Sequence, residues 1–122
     1  MVYSKKALEE LIKDGKLVVE PRAEFADESI MVHISEAIIL NPGEFRLGKT
    51  KEGFKLSQGF VGLYDGYTHL ARRGVATHMG SMFVKSDTEG QLVLEIFNAS
   101  SKVVKIKKNE RVGQLILLQV KD

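Results

Sequence analysis

The 122 residues are 43% hydrophobic, contain no Cys and no Trp, and carry 18 Lys and Arg against 16 Asp and Glu, a formal charge of +2. That length favours a single domain over 1–122, and the missing Cys excludes disulfides, thiol nucleophiles and Cys-based zinc sites. No apolar run exceeds four residues, as at 37–40, which excludes a membrane-spanning helix; the near-balanced charge lacks the basic footprint of a nucleic-acid binder, and the opening residues 1–6 lack a signal-peptide stretch, so the expected location is the cytoplasm.

In chain order, Ser4 caps a helix whose apolar face is Leu8, Leu11 and Ile12, and Gly15 ends it in a left-handed turn. Residues 17–20 read as a strand stopped by Pro21. Alternation puts Ile30, Val32 and Ile34 on one face of a strand over 29–34, and 38–40 is another. Asn41-Pro42-Gly43 is a tight turn, with Pro fixing φ and Gly permitting positive φ. Further strands are expected over 45–48, 54–56, 60–64, 75–78, 82–84, 91–97, 103–106 and 112–120, and one helical turn over 68–73. Many short strands at regular spacing point to a mainly β sandwich, jelly roll or barrel. Lys102, Lys105, Lys107 and Lys108 are expected on the solvated face and turn of a hairpin.

Three segments could carry chemistry. Gly66-Tyr67-Thr68-His69-Leu70-Ala71-Arg72-Arg73-Gly74 places glycine beside hydroxyl and cationic groups at the start of a helical turn, where an anion can be held; a capped turn with solvated Arg is the plainer alternative. In residues 90–98, Glu95 interrupts an apolar strand. An exposed side chain is the common outcome there, whereas burial would raise its pKa and suit proton transfer. Pro42-Gly43-Glu44-Phe45 and residues 109–115 each lead from a turn into a strand.

Taken together and in this order, these segments resemble the family of dCTP deaminases and trimeric dUTPases, more closely the deaminase branch. Residues 4–21 look like that branch's first helix and strand. Leu40-Asn41-Pro42-Gly43-Glu44-Phe45-Arg46-Leu47, followed by Thr50 and Glu52, is similar to its PGEF strand, and residues 66–72 match the frame of its Gly-Arg-Ser-Ser-Leu-Ala-Arg motif. Leu94-Glu95-Ile96-Phe97-Asn98 places Glu95 at the position of the catalytic Glu, and residues 110–115 resemble the late Gly-x-Arg-Ile-x-Gln-Leu motif. The resemblance covers nearly the whole chain and implies a dUTPase-like distorted jelly roll or β-barrel of the β-clip type, with one N-terminal helix and one short helical turn.

It also implies a reaction, the hydrolytic deamination of dCTP to dUTP without protein-bound zinc, and a homotrimer with sites built between neighbouring subunits. Carried over by position, Glu95 is the general base, Arg72 the stabilising cation, Thr68 the hydroxyl in place of Ser, and Ser81 the source of a backbone carbonyl. Gly66, Tyr67, His69, Lys85 and Gln114 fall at nucleotide-binding positions, and Mg²⁺ would ride on the triphosphate. Tyr67 stands where the family has a phosphate-binding Arg, His69 where it has a second Ser, and Lys85 where it has the sugar-binding Asp. Met82 and Phe83 replace polar residues, the region between His33 and Pro42 is shortened, and no closing segment follows Val120. These departures keep two alternatives open: a non-catalytic relative acting as a nucleotide-binding or protein-interaction module, and, more weakly, a dUTP pyrophosphatase. His33, His69 and His78 are too scattered for a metal site. His69 is expected at a phosphate, at Glu95 or in solvent, and His78 at an interface or packed in a strand.

Overall fold

A computed structural model describes residues 1–121. The chain opens on α1 (Lys5–Lys13), and the local sequence explains both of its ends. Ser4 Oγ accepts the N–H of Ala7 at 3.2 Å, satisfying one of the helix's free donors. Gly15, at φ 73°, takes the left-handed step after the last turn. Leu8 and Leu11 are buried on one face, each contributing about 2 kcal/mol.

Among the described residues, eleven strands and a second, four-residue helix follow: β1 (Leu17–Glu20), β2 (Phe25–Ala26), β3 (Ser29–His33), β4 (Ile38–Leu40), β5 (Phe45–Leu56), β6 (Phe60–Gly66), α2 (Thr68–Ala71), β7 (Val75–Ala76), β8 (Phe83–Val84), β9 (Glu89–Asn98), β10 (Val104–Ile106) and β11 (Arg111–Gln119). They form a four-stranded sheet in the order β1-β5-β9-β7, a five-stranded sheet in the order β2-β3-β11-β6-β8, and the pair β10-β4. One apolar core joins all three sheets and both helices, to which the first sheet contributes Phe54, Leu94 and Ile96 and the second Ile30, Leu115 and Leu117. The mainly β architecture with an opening helix and one helical turn is the expected one.

Three expectations about elements need correction. The segments 45–48 and 54–56 are one strand, β5, whose pairing with β9 shifts register between Lys49 and Gly53. The polar residues there look like a turn in the sequence, but Thr50 and Glu52 are buried. Thr50 Oγ1 donates to the Glu52 carbonyl at 2.7 Å and accepts the N–H of Leu92 at 2.9 Å, so the irregularity satisfies its own polar groups. The expected strand over 75–78 ends at Ala76, and residues 77–82 run on as a loop. The Lys-rich segment is not the tip of a hairpin, because β10 pairs with β4, far away in sequence, and with neither of its neighbours.

Asn98 explains how β9 ends. Fully buried, it donates from Nδ2 to the carbonyls of Leu40 and Lys102 at 3.1 and 2.8 Å. Its main chain bonds the turn at 41–44, where Gly43 sits at φ 76°. The turn ahead of β5 and the end of β9 are thereby one assembly, which holds the long β5–β9 pair in register across Glu95.

Candidate functional site

Alternation along β9 sends Leu94 and Ile96 into the core and Glu95 to the outer face, opposite Leu47 of β5. The loop after β7 runs alongside. The backbone N–H of Glu95 donates to the Thr77 carbonyl at 3.1 Å, and the loop returns two donors to the side chain. Glu95 Oε1 accepts the N–H of Gly80 at 2.8 Å and of Met79 at 3.1 Å. Oε2 has no hydrogen-bond partner among the described residues.

These contacts set the charge of the carboxylate. The Gly80 N–H, then the Met79 N–H, hold its pKa below the ordinary carboxylate value, partial desolvation opposes them, and the nearby His78 assists. The rise in pKa expected of a buried Glu95 does not occur, because the side chain lies on the outer face and is only half-buried.

Glu95 and Ser81 share a hollow of about 140 Å³, walled by Tyr64, His78, Met82, Phe83, Val84 and 92–94. Its floor is rigid. Tyr64 OH bonds Thr77 Oγ1 at 2.8 Å and donates to the Val112 carbonyl at 3.2 Å, and burial pushes the phenol's pKa up to about 12. Gly113 permits this arrangement: a Cβ there would run into the Tyr64 hydroxyl and lie 2.6 Å from the Asp65 carbonyl oxygen.

A second hollow, of about 280 Å³, is lined by Asp65, Gly66, Tyr67, Thr68, Ala71, Ala76, Thr77 and His78. Thr68 is exposed at the start of α2. Arg72 is exposed just beyond it and, among the described residues, makes no side-chain hydrogen bond or ion pair. The ring of Tyr67 lies 4.5 Å beneath the guanidinium of Arg111 and 5.8 Å from His69. His69 is thus exposed beside Tyr67 and makes no hydrogen bond to Glu95.

The structure therefore sorts the expected site residues into two groups. Glu95 and Ser81 meet in one hollow; Gly66, Tyr67 and Thr68 meet in the other, with Arg72 and His69 on the same helical turn. His78 borders both. Lys85 is exposed at the end of β8, its carbonyl bonding Thr88. Gln114 accepts from Ser29 Oγ at 2.9 Å and donates to Asp65 at 3.2 Å, which ties it to the wall of the second hollow. Each hollow is smaller than the roughly 300–1,000 Å³ of a ligand pocket that encloses its ligand.

Two features escaped the sequence. One is His78; its strand-like surroundings gave no sign that the chain turns into a loop there. The other is a buried pair, His33 with Glu52. Glu52 Oε1 accepts the His33 backbone N–H at 2.9 Å, its Oε2 meets Nδ1 at 2.5 Å, and Glu24 stands 3.6 Å from Nε2. The alternating pattern of 29–34 already placed His33 opposite the apolar face, but nothing local named its partner. Among the described residues no three His, Asp or Glu side chains cluster as a metal cage requires, and no helix is long and apolar enough to cross a membrane.

Comparison with known proteins adds to this geometry. A family model described as dCTP deaminase-like matches residues 9–120. The chain is 35% identical over 104 residues to a dUMP-forming dCTP deaminase of Corynebacterium kroppenstedtii, covering 84% of this chain and 56% of that protein. It is 36% identical over 88 residues to a dCTP deaminase of Glaesserella parasuis, covering 72% and 45%. The chain thus spans about half the length of the curated relatives it matches. Among solved structures, the dUTPase of Staphylococcus bacteriophage 80alpha with dUpNHpp superimposes with a TM-score of 0.73 at 17% identity, over 87% of this chain and 83% of that one. A phage phi11 dUTPase structure, described as revealing the coordination of a structural Mg(II) ion, gives 0.72 at 15% identity, over 87% and 92%.

Proposed function

The chain belongs to the dCTP deaminase-like family, and from that premise we propose that it forms a homotrimer that deaminates dCTP to dUTP by hydrolysis, with Glu95 as general base. The observation that carries the reading is the state of Glu95: one oxygen is fixed by two backbone N–H groups, while the other is free at the wall of a hollow.

The chemistry follows from that placement. A water held at Oε2 attacks C4 of cytosine as Glu95 takes its proton. The tetrahedral intermediate collapses as the carboxyl returns a proton to the departing amino group, so dCTP and water become dUTP and ammonia. The ionised carboxylate is ready to accept a proton, though its lowered pKa makes it a weak base in the lone chain. A neighbouring subunit packed over the hollow would desolvate it and raise that pKa.

Assembly also accounts for the division into two hollows. Thr68 and Arg72 of one subunit would complete the site of the next, the hydroxyl and guanidinium orienting the water and the base, with the Ser81 carbonyl contributing from the Glu95 side. Phe45, Leu47 and Val93 support an interface here, since they are 50%, 63% and 61% exposed on the outer face of β5 and β9 around Glu95, an apolar patch that a monomer would leave in water. Mg²⁺ enters with the triphosphate, as part of the substrate.

The test is ammonia release from dCTP with Mg²⁺ by the purified chain. Release that Glu95→Gln abolishes supports the reading; absence of release from the wild type overturns it. Leu47→Asp should dissociate the trimer, read by light scattering, and lose activity with it. A second reading, a nucleotide-binding or interaction module without catalysis, draws support from Tyr67, Met82, Phe83 and Lys85; binding of dCTP or dUTP with no turnover would favour it. Pyrophosphate release from dUTP would point instead to the dUTPase chemistry of the structural neighbours.

A further inference from the structure

We propose that His78 is a further residue of the Glu95 site, its Nε2–H donating a hydrogen bond to the water or base held at the Glu95 carboxylate. This rests on reading that hollow as a nucleotide site.

Three observations converge on the ring. His78 Nδ1 is buried and has no hydrogen-bond partner. In this proposal the ring proton sits on Nε2, the nitrogen that is not sealed off. Nε2 is not among the buried unpartnered atoms and makes no hydrogen bond among the described residues, so the donor is left for something outside the chain.

The ring is also held in place. It stands edge-on to Tyr64, with centroids 5.5 Å apart and planes at 90°, and Tyr64 is itself fixed through Thr77 and Val112. The next two residues, Met79 and Gly80, are those that grip Glu95 Oε1. His78 forms no direct ion pair with Glu95, and both side chains line the same hollow. An atom held between them there would accept from the ring and give a proton to the carboxylate. A water molecule satisfies both demands.

Two isosteres separate this role from packing. Gln places its amide nitrogen near the position of Nε2, and Asn near that of Nδ1. His78→Gln should keep kcat within about fivefold of wild type, whereas His78→Asn should lower it about 100-fold with little change in KM, the cost of losing one positioned donor. Nitrogen NMR of the full wild-type chain should show the Nε2–H tautomer, with the ring resonances moving when dCTP is added. An Nδ1–H tautomer overturns the proposal, as do equal activities of the two variants or ring resonances that stay put while calorimetry records dCTP binding. A wild-type chain that neither binds dCTP nor releases ammonia overturns the deaminase reading, and this role for His78 with it.

Discussion

Glu52 and Glu95 lie on adjacent, paired strands of one sheet, and both are held by backbone N–H groups, yet their carboxylates are used differently. Glu52 is 2% exposed and both oxygens are engaged by His33, one through the main chain and one through the ring. Glu95 receives its two N–H donors on the same oxygen, which leaves the other facing a hollow. The difference lies in where the donors come from. A residue on a strand of the other sheet spreads its bonds over both oxygens and closes the site, whereas a loop crossing one side holds one oxygen and leaves the other available. The first glutamate is architecture; the second is the one that the proposed chemistry uses.

Replacing each carboxylate should have opposite consequences. Glu95→Gln keeps the shape and removes the base; ammonia release should fall about 10³-fold, with the unfolding midpoint near that of wild type. If activity persisted, Glu95 would be no more functional than Glu52. Glu52→Ala should instead cost about 3 kcal/mol in denaturant unfolding, because it strands a buried imidazole and a backbone N–H. A loss below 1 kcal/mol would mean that the pair is not what fixes β3 to β5.

Smaller changes sharpen the contrast. Tyr64→Phe removes one buried hydroxyl and frees Thr77 Oγ1 to donate to the Val112 carbonyl 3.0 Å away, so the stability loss should be near 1 kcal/mol. Gly80→Ala would set a Cβ 3.3 Å from Glu95 Oε1; a shift of a few tenths of an ångström in the carboxylate should lower kcat about fivefold without altering stability. Acid titration gives the smallest signal. Since the folded pKa of Glu95 is depressed, its contribution to stability is present above the unfolded carboxylate pKa and is lost as the pH falls through the folded value. Glu95→Gln should make the acid limb of the unfolding curve shallower, and an unchanged limb would show that the two N–H bonds are absent in solution.

Much of the architecture was legible locally. Ser4, Leu8, Leu11 and Gly15 announced α1, and the alternation around Ile30 and Leu94 gave both strands and their buried faces. The order of the motifs pointed to the family. The break expected between 48 and 54 misled because polar residues between apolar runs ordinarily mark a turn, and only partners on distant strands, Leu92 for Thr50 and His33 for Glu52, account for their burial. Lys105 misled because the strand that pairs with its own, β4, lies more than sixty residues earlier. At the site, Glu95 could be singled out as an anomaly on its strand, but its depressed pKa could not, since the responsible N–H groups of Met79 and Gly80 belong to a loop whose course beside β9 no local pattern gives.

The sequence by itself determined the mainly β class, the capped first helix, the family and the face of β9 on which Glu95 stands. Side-chain direction along a strand has a period of two, and that period is written in the residues. Tertiary structure decided which carboxylate is closed and which keeps a free oxygen, how Thr68 and Glu95 are divided between two hollows, and that the Nδ1 of His78 is left without a partner. Each depends on what covers a face, and the covering segments come from distant parts of the chain.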